Sequence, residues 1–572
     1  MNQKRNWAAA ALLLPAVLLA GCTSGARETG SQAHHEHAQH AGVAAGSSDS
    51  VSGKTELTEA TEVLRGKEFT LTAKPGMLAA AEGTTVPVWS FNHSVPGPQL
   101  RVKQGELVTV KLQNELPEPV SIHWHGYPVP NAMDGIPGVT QNAVQPGEQF
   151  TYQFKADVAG TYWYHSHQDS VNQLDRGLYG TLVVEGEEDS KVDRDYTLVL
   201  DEWMGGGAAA SDSGTGAAGH DMAEGSHGKS GTGPAAETGH AANAAGHGAH
   251  DAGHGASHGA AETGHSGHAG NSNHPHGTPG QGHDMSMYNL FTINGKTGEA
   301  VERLLVKEGE KVRLRLINAG YMSHELHLHG HEFSITATDG QKINHPPSTK
   351  DSLLAIAPGE RYDIEFTANN PGVWLLEEHS DNPAAVGMKA AIVYEGAASG
   401  ADRANEREKL PRIDLMSYGE MADAPFQLDQ KFDLEYTMNL GTTEDKGGQL
   451  FTINGKTYPD TEMLTVKKGD KVKVRLVNKS ESDDHPMHLH GHFFQVLSKN
   501  GKAMTGSPII KDTLNLKPGE EYVVAFIADN PGEWMFHCHD LHHAAAGMVT
   551  HLRYEGFQPQ FKADPKAGNK PE

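Results

Sequence analysis

The sequence predicts an all-β fold of three sandwich domains. Three observations carry that reading: strand-like alternation, Pro-Gly punctuation, and one domain-sized pattern that returns along the chain. Leu107–Leu112, Val312–Ile317 and Val472–Val477 each alternate apolar and polar residues, as half-buried strands do. Pro146-Gly147, Pro358-Gly359 and Pro518-Gly519 mark the turns that follow. Phe291–Thr297 recurs 160 residues later as Phe451–Thr457, Val306–Val312 recurs as Val466–Val472, and Trp374–Met388 as Trp534–Met548. A more distant copy runs from Val102–Val108 through His123-Trp124-His125-Gly126 to Gly160–His165. The interval is far longer than a solenoid repeat, so the copies are whole domains. Helical periodicity is scarce, and many short strands with Gly and Pro punctuation imply sandwiches.

Taken in order, residues 1–22 carry Lys4 and Arg5, an apolar run from Trp7 to Leu19, and then Ala20-Gly21-Cys22. The run is too short to span a bilayer and reads as an export signal. Leu18-Leu19-Ala20-Gly21-Cys22 resembles a bacterial lipoprotein cleavage box, which would make Cys22 the lipidated first residue of an anchored, exported protein. Residues 23–60, rich in Ala, Gly, Ser and His, read as a disordered tether. Domain 1 is expected over 61–190, domain 2 over 191–400, domain 3 over 401–560, and a tail over 561–572. Domain 2 is interrupted at 205–285 by a segment with twelve histidines between His220 and His283, too poor in apolar residues to fold. By the repeat it occupies the place that the short Gly441–Gln449 stretch fills in domain 3, a loop that tolerates insertion.

The 572 residues suffice for several domains, and 37% hydrophobic composition is adequate for packed cores. A formal charge of −26 argues against nucleic acid and suits either cationic ligands or plain solubility. An exported chain usually invites disulfides, yet only two cysteines are present. With Cys22 acylated, Cys538 has no cysteine partner, and a thiol set among histidines reads as a metal ligand.

Four His-x-His units stand out: His123-Trp-His125, His165-Ser-His167, His488-Leu-His490 and His537-Cys538-His539. In a strand, residues i and i+2 share a face and i+1 takes the other. His537 and His539 can therefore hold one centre while Cys538 holds a second. A thiolate, His543 five residues on, Met548 five further, and His485 from a neighbouring strand form a trigonal Cys-His₂ set with a weak axial Met, suited to one-electron transfer. One His-x-His alone is weak evidence, since strand histidines serve many roles; four of them, one enclosing the sole remaining cysteine, are not accidental.

With these residues in place, the chain resembles the three-domain multicopper oxidases, the laccase-like family of cupredoxin Greek-key sandwiches, over about residues 65–555. The resemblance implies four coppers per chain. His485, Cys538, His543 and Met548 match the type 1 ligands, and His123 and His488 match type 2. His125, His165, His167, His490, His537 and His539 match the type 3 pair. Asp134 matches an acid that would donate protons during oxygen reduction, whereas Ala544 stands where many bacterial relatives carry Glu. Shifted by 160, Cys538 falls on Glu378 and His543 on Pro383, and Ser166 takes the cysteine's place in domain 1. Only domain 3 keeps a thiolate site. Domains 1 and 3 are expected to share a cluster, with domain 2 a spacer in which His324, His327 and His329 echo a lost site.

The expected activity couples one-electron oxidation of a reductant to reduction of O2 to water by a monomer. The His-rich insertion and acidic surface favour Cu(I), in copper tolerance, over laccase-type phenols, and Mn(II) or Fe(II) is a further alternative. A nitrite reductase is disfavoured by the number of His-x-His units, and a copper-sequestering lipoprotein needs no Cys-to-His wiring. The insertion's histidines read as weak copper capture or as linker decoration. His542 reads as adjacent to the ligands or exposed. His345, His379 and His551 read as structural, and Met416, Met421, Met438 and Met463 mainly as core or linker.

Overall fold

The computed structural model describes residues 56–205, 287–397, 409–445 and 448–571. The export signal, Cys22, most of the tether and the His-rich insertion lie outside these. Three sandwiches follow one another, and among the described residues only two short α-helices, Ser170–Asp175 and Leu541–Ala545, accompany them.

The first sandwich packs a sheet of strands Val63–Arg65, Gly97–Lys103, Tyr179–Glu185 and Gly160–His165 on one of Thr84–Phe91, Glu68–Ala81, Leu107–Asn114 and Gln149–Lys155. Alternation decides which side chains fill it. Val108, Val110 and Leu112 turn inward against Leu71, Phe91 and Phe154, while their neighbours stay partly exposed. In the second sandwich Arg194–Met204, Tyr288–Ile293 and Lys311–Asn318 begin one sheet. In the third, Leu434–Asp445, Gly448–Ile453 and Lys471–Asn478 begin its counterpart with the same strand order and the same mix of parallel and antiparallel pairing. The insertion therefore lies between two antiparallel strands whose counterparts in the third sandwich pair as far as Asp445 and Gly448.

Alternation fails as a guide to burial at Lys311–Asn318, where every residue after Lys311 is buried. Its outward arginines do not meet water. Arg315 Nε donates to Asp195 at 2.8 Å and its Nη1 to Thr161 of the first sandwich at 2.7 Å; Arg313 pairs with Glu365 at 2.6 Å. The polar face is an interface between sandwiches, and the buried guanidiniums are tolerated because carboxylates surround them.

Residues 561–571, expected as a tail, pack on the first sandwich. Asn569 Oδ1 accepts from the Ala143 amide at 2.8 Å, Lys570 O accepts from the Asp169 amide at 2.8 Å, and Pro571 O accepts from His167 Nδ1 at 2.6 Å.

Candidate metal centre

The third sandwich supplies the sulfur. Strand His485–Leu489 lies antiparallel to Glu533–Cys538, with Met487 opposite Cys538 and His488 opposite His537. Alternation sends Cys538 into its own sandwich and its two neighbours outward. Cys538 Sγ lies 3.5 Å from His543 Nδ1 and 3.8 Å from His485 Nδ1, and those two nitrogens are 3.3 Å apart. His543 reaches this point because Asp540 caps the short helix, its side chain accepting from the His542 amide at 3.1 Å and turning the chain back beneath the sulfur. The Met548 amide donates to His543 O and the Cys538 amide to Met548 O, closing the loop, with Met548 fully buried. Burial pushes the His485 imidazole down to about 4, so it is neutral and able to bind metal near neutral pH.

The other eight predicted histidines converge between the first and third sandwiches. His123 stacks on His490 with ring centroids 3.9 Å apart, and His125 on His488 at 3.8 Å. His165 is joined to His123 by a backbone bridge, His167 lies 5.4 Å from His537, and His539 lies 4.6 Å from His125. All eight are at most 1% exposed. Burial, reinforced by the neighbouring rings, drives His125, His165, His490, His537 and His539 well below the ordinary imidazole value and His167 to about 3.

Asp134 joins the two halves. Its Oδ2 accepts from His490 Nδ1 at 3.0 Å, its Oδ1 lies 3.2 Å from His123 Nδ1, and its backbone oxygen is 2.9 Å from that same nitrogen. Ala544 sits in an apolar patch with Ile136, Met535 and Val549, so this side carries no counterpart of the relatives' Glu.

The structure corrects the view of domain 2 as a spacer. Arg361, from the second sandwich, makes a bidentate pair with the fully buried Asp512 of the third, at 2.7 and 2.6 Å. Asp512 Oδ1 in turn lies 3.4 Å from both His125 Nε2 and His488 Nδ1. Burial raises the Asp512 carboxyl, but the Arg361 guanidinium together with His488 outweighs it and holds the group below the ordinary carboxylate range. Gly359 lies so close that a Cβ there would come within 2.9 Å of the His539 ring. A Cβ at Gly126, at φ +75°, would strike both Arg361 and Asp512. Asp512, Thr513 and Arg361 escaped sequence reading, although a charged Lys511-Asp512 pair inside the strand-like Ile509–Leu516 run is a signal, since such charges stay buried only when paired. His379, expected to be structural, lies beside His327 and His329. His551 pairs with Glu533 and His345 with Glu420, as structural histidines do.

A thiolate pocket backed by an imidazole cluster at a sandwich interface defines a copper oxidase. Multicopper oxidase family models match residues 72–189, 265–398 and 423–556. The chain is 30% identical to Multicopper oxidase MmcO of Mycobacterium tuberculosis over 88% of this chain and 91% of that protein. It is 28% identical to Laccase-1 of Botryotinia fuckeliana, over 82% and 79%, and 24% identical to Copper resistance protein A of Escherichia coli, over 86% and 93%. Among solved structures, a multi-copper oxidase from Pseudomonas thermotolerans aligns with TM-score 0.59 and 27% identity, over 86% of this chain and all of that one. The chain belongs to the multicopper oxidase family, copper-dependent oxidoreductases that take electrons from a reductant and give them to O2.

The buried polar atoms fit copper. His123 Nε2, His125 Nδ1, His165 Nε2, His488 Nε2 and both ring nitrogens of His539 have no hydrogen-bond partner among the described residues. Each such group costs about 1–3 kcal/mol if left unmet, a penalty that metal coordination removes. Imidazole and thiolate are donors that copper accepts readily.

Proposed function

We propose that this protein is a cuprous oxidase, exported and held at a membrane by a lipid on Cys22, that acts as a monomer. His485, Cys538 and His543, with Met548 as axial group, would hold type 1 copper; His123 and His488 type 2; and His125, His165, His167, His490, His537 and His539 the type 3 pair. Bound there, four coppers supply the one-electron acceptor and the store of electrons that reduction of O2 to two waters requires. The observation that carries the reading is the placement of Cys538 and its two neighbours on opposite faces of one strand, sulfur toward His485 and His543, imidazoles toward the shared cluster.

The remaining residues fix these donors. Asp134 holds the His490 ring through its N–H, and its Oδ1 is the atom on which a proton can be carried for water formation. Pro571 O, Asp512 and Thr513 orient His167, His488 and His125 in the same way. Four cuprous ions and four protons would be consumed per O2, giving four cupric ions and two waters. Support for Cu(I) as substrate comes from the likeness to Copper resistance protein A, from the His-rich insertion and from the acidic chain. The likeness to Laccase-1 favours phenol oxidation as the second reading.

Oxygen-electrode kinetics of the copper-loaded protein with Cu(I), Mn(II) and a phenol in parallel test this. Cu(I) should give the highest kcat/KM. A phenol preferred by tenfold or more would replace the cuprous reading with the laccase one, and metal binding without oxygen uptake would replace both with storage.

A further inference from the structure

The second sandwich gathers another set of metal-binding groups, none of which belongs to the shared cluster. His327, His329 and His379 are all buried, with one ring nitrogen from each within 4.8 Å of the others. Their ring centroids lie 4.0, 5.1 and 5.8 Å apart. His327 is 5% exposed, and neither of its ring nitrogens has a hydrogen-bond partner among the described residues. Glu377 Oε1 lies 2.8 Å from His329 Nε2 and accepts its proton, fixing that ring and leaving Nδ1 for a ligand, the carboxylate–histidine pattern of metal sites.

Strand register explains why these residues meet. His327 stands opposite Glu377, as His488 stands opposite His537 in the third sandwich. His327, His329, Glu377 and His379 therefore take the places of His488, His490, His537 and His539. In the third sandwich the first sandwich closes over that face. In the second, Asp351, itself largely exposed, stands 3.9 Å from His327 Nε2, and His379 borders a cleft of about 990 Å³ between the second and third sandwiches, so an ion has a way in.

We propose that the second sandwich carries its own metal site, formed by His327, His329 and His379 with Glu377 orienting His329, for a divalent ion that prefers imidazole, Cu(II) before Zn(II) by the usual affinity order. The test is copper content per chain in the full-length protein, loaded with Cu(II) and dialysed against a weak chelator. The wild type should hold one more copper per chain than His327→Gln/His379→Gln, both carrying the same insertion, with a cooperative thermal melt showing that the variant is folded. Equal copper content overturns the proposal. Should the variant fail to melt cooperatively, anomalous diffraction at the copper edge from wild-type crystals decides. A peak about 2 Å from the three imidazoles supports the site, and an empty position there overturns it.

Discussion

Asp512 orients the cluster from the side of the second sandwich, because it faces two imidazoles on one side and the Arg361 guanidinium on the other. Asp512→Asn should lower copper retention at the cluster by about 10–100-fold, the usual cost of removing an orienting carboxylate, while the blue absorbance of the sulfur site persists. Arg361→Met leaves the Asp512 charge buried and unpaired, and should cost about 3–5 kcal/mol of stability, read as a fall in melting temperature. A different carboxyl contributes to pH dependence. Burial pushes Asp175 up to about 7 from 3.8, against the hydrogen bonds donated by Tyr288. The folded chain keeps a proton there that the unfolded chain releases above about pH 4, so this group's contribution to stability falls as pH rises to about 7 and is level beyond. Asp175→Asn should therefore match the wild type near pH 4 and exceed it by about 1–3 kcal/mol at pH 8, and equal melting temperatures at both pH values would remove Asp175 from the account. The histidines and Cys538 were legible because their spacing encodes a strand face. Asp512 and Arg361 were not, because one charge in each strand acquires its meaning only from a partner about 150 residues away. The company His379 keeps was hidden for the same reason, since its neighbours His327 and His329 lie on another strand.

At the scale of elements, turns and termini hold the strands that carry the donors. The short helix Leu541–Ala545 brings His543 under the sulfur, and the segment 561–571 braces the first sandwich through Asn569, Lys570 and the Pro571 carbonyl on His167. Deleting residues 564–572 should lower the melting temperature and reduce oxygen uptake severalfold. An unchanged rate would show that Pro571 O does not orient His167. Strand alternation revealed which residues of Leu107–Leu112 fill the core, yet it misjudged Arg313 and Arg315. A polar outer face looks the same in sequence whether it meets water or a neighbouring sandwich, with carboxylates of its own sheet beside it.

Across the whole molecule, all three sandwiches contribute to the surroundings of the imidazole cluster, the second through Gly359 and Arg361. No helix among the described residues is long and apolar enough to cross a membrane. The internal repeat made this architecture readable, whereas the packing of the second sandwich against the cluster was hidden because a repeat specifies each domain and not its neighbours. Deleting the insertion, residues 205–285, should leave the melting temperature and the rate at saturating Cu(I) unchanged but raise the Cu(I) concentration needed for half that rate. An unchanged concentration dependence would refute copper capture by its histidines. The most direct measurement of the central claim is the copper content, blue absorbance and oxygen uptake of Cys538→Ser beside the wild type. The account predicts loss of the blue absorbance and of one copper per chain, retention of the remaining copper, and a fall of about 10³-fold or more in uptake as the proposed entry for electrons is removed. Uptake near the wild-type rate without the blue absorbance would contradict it.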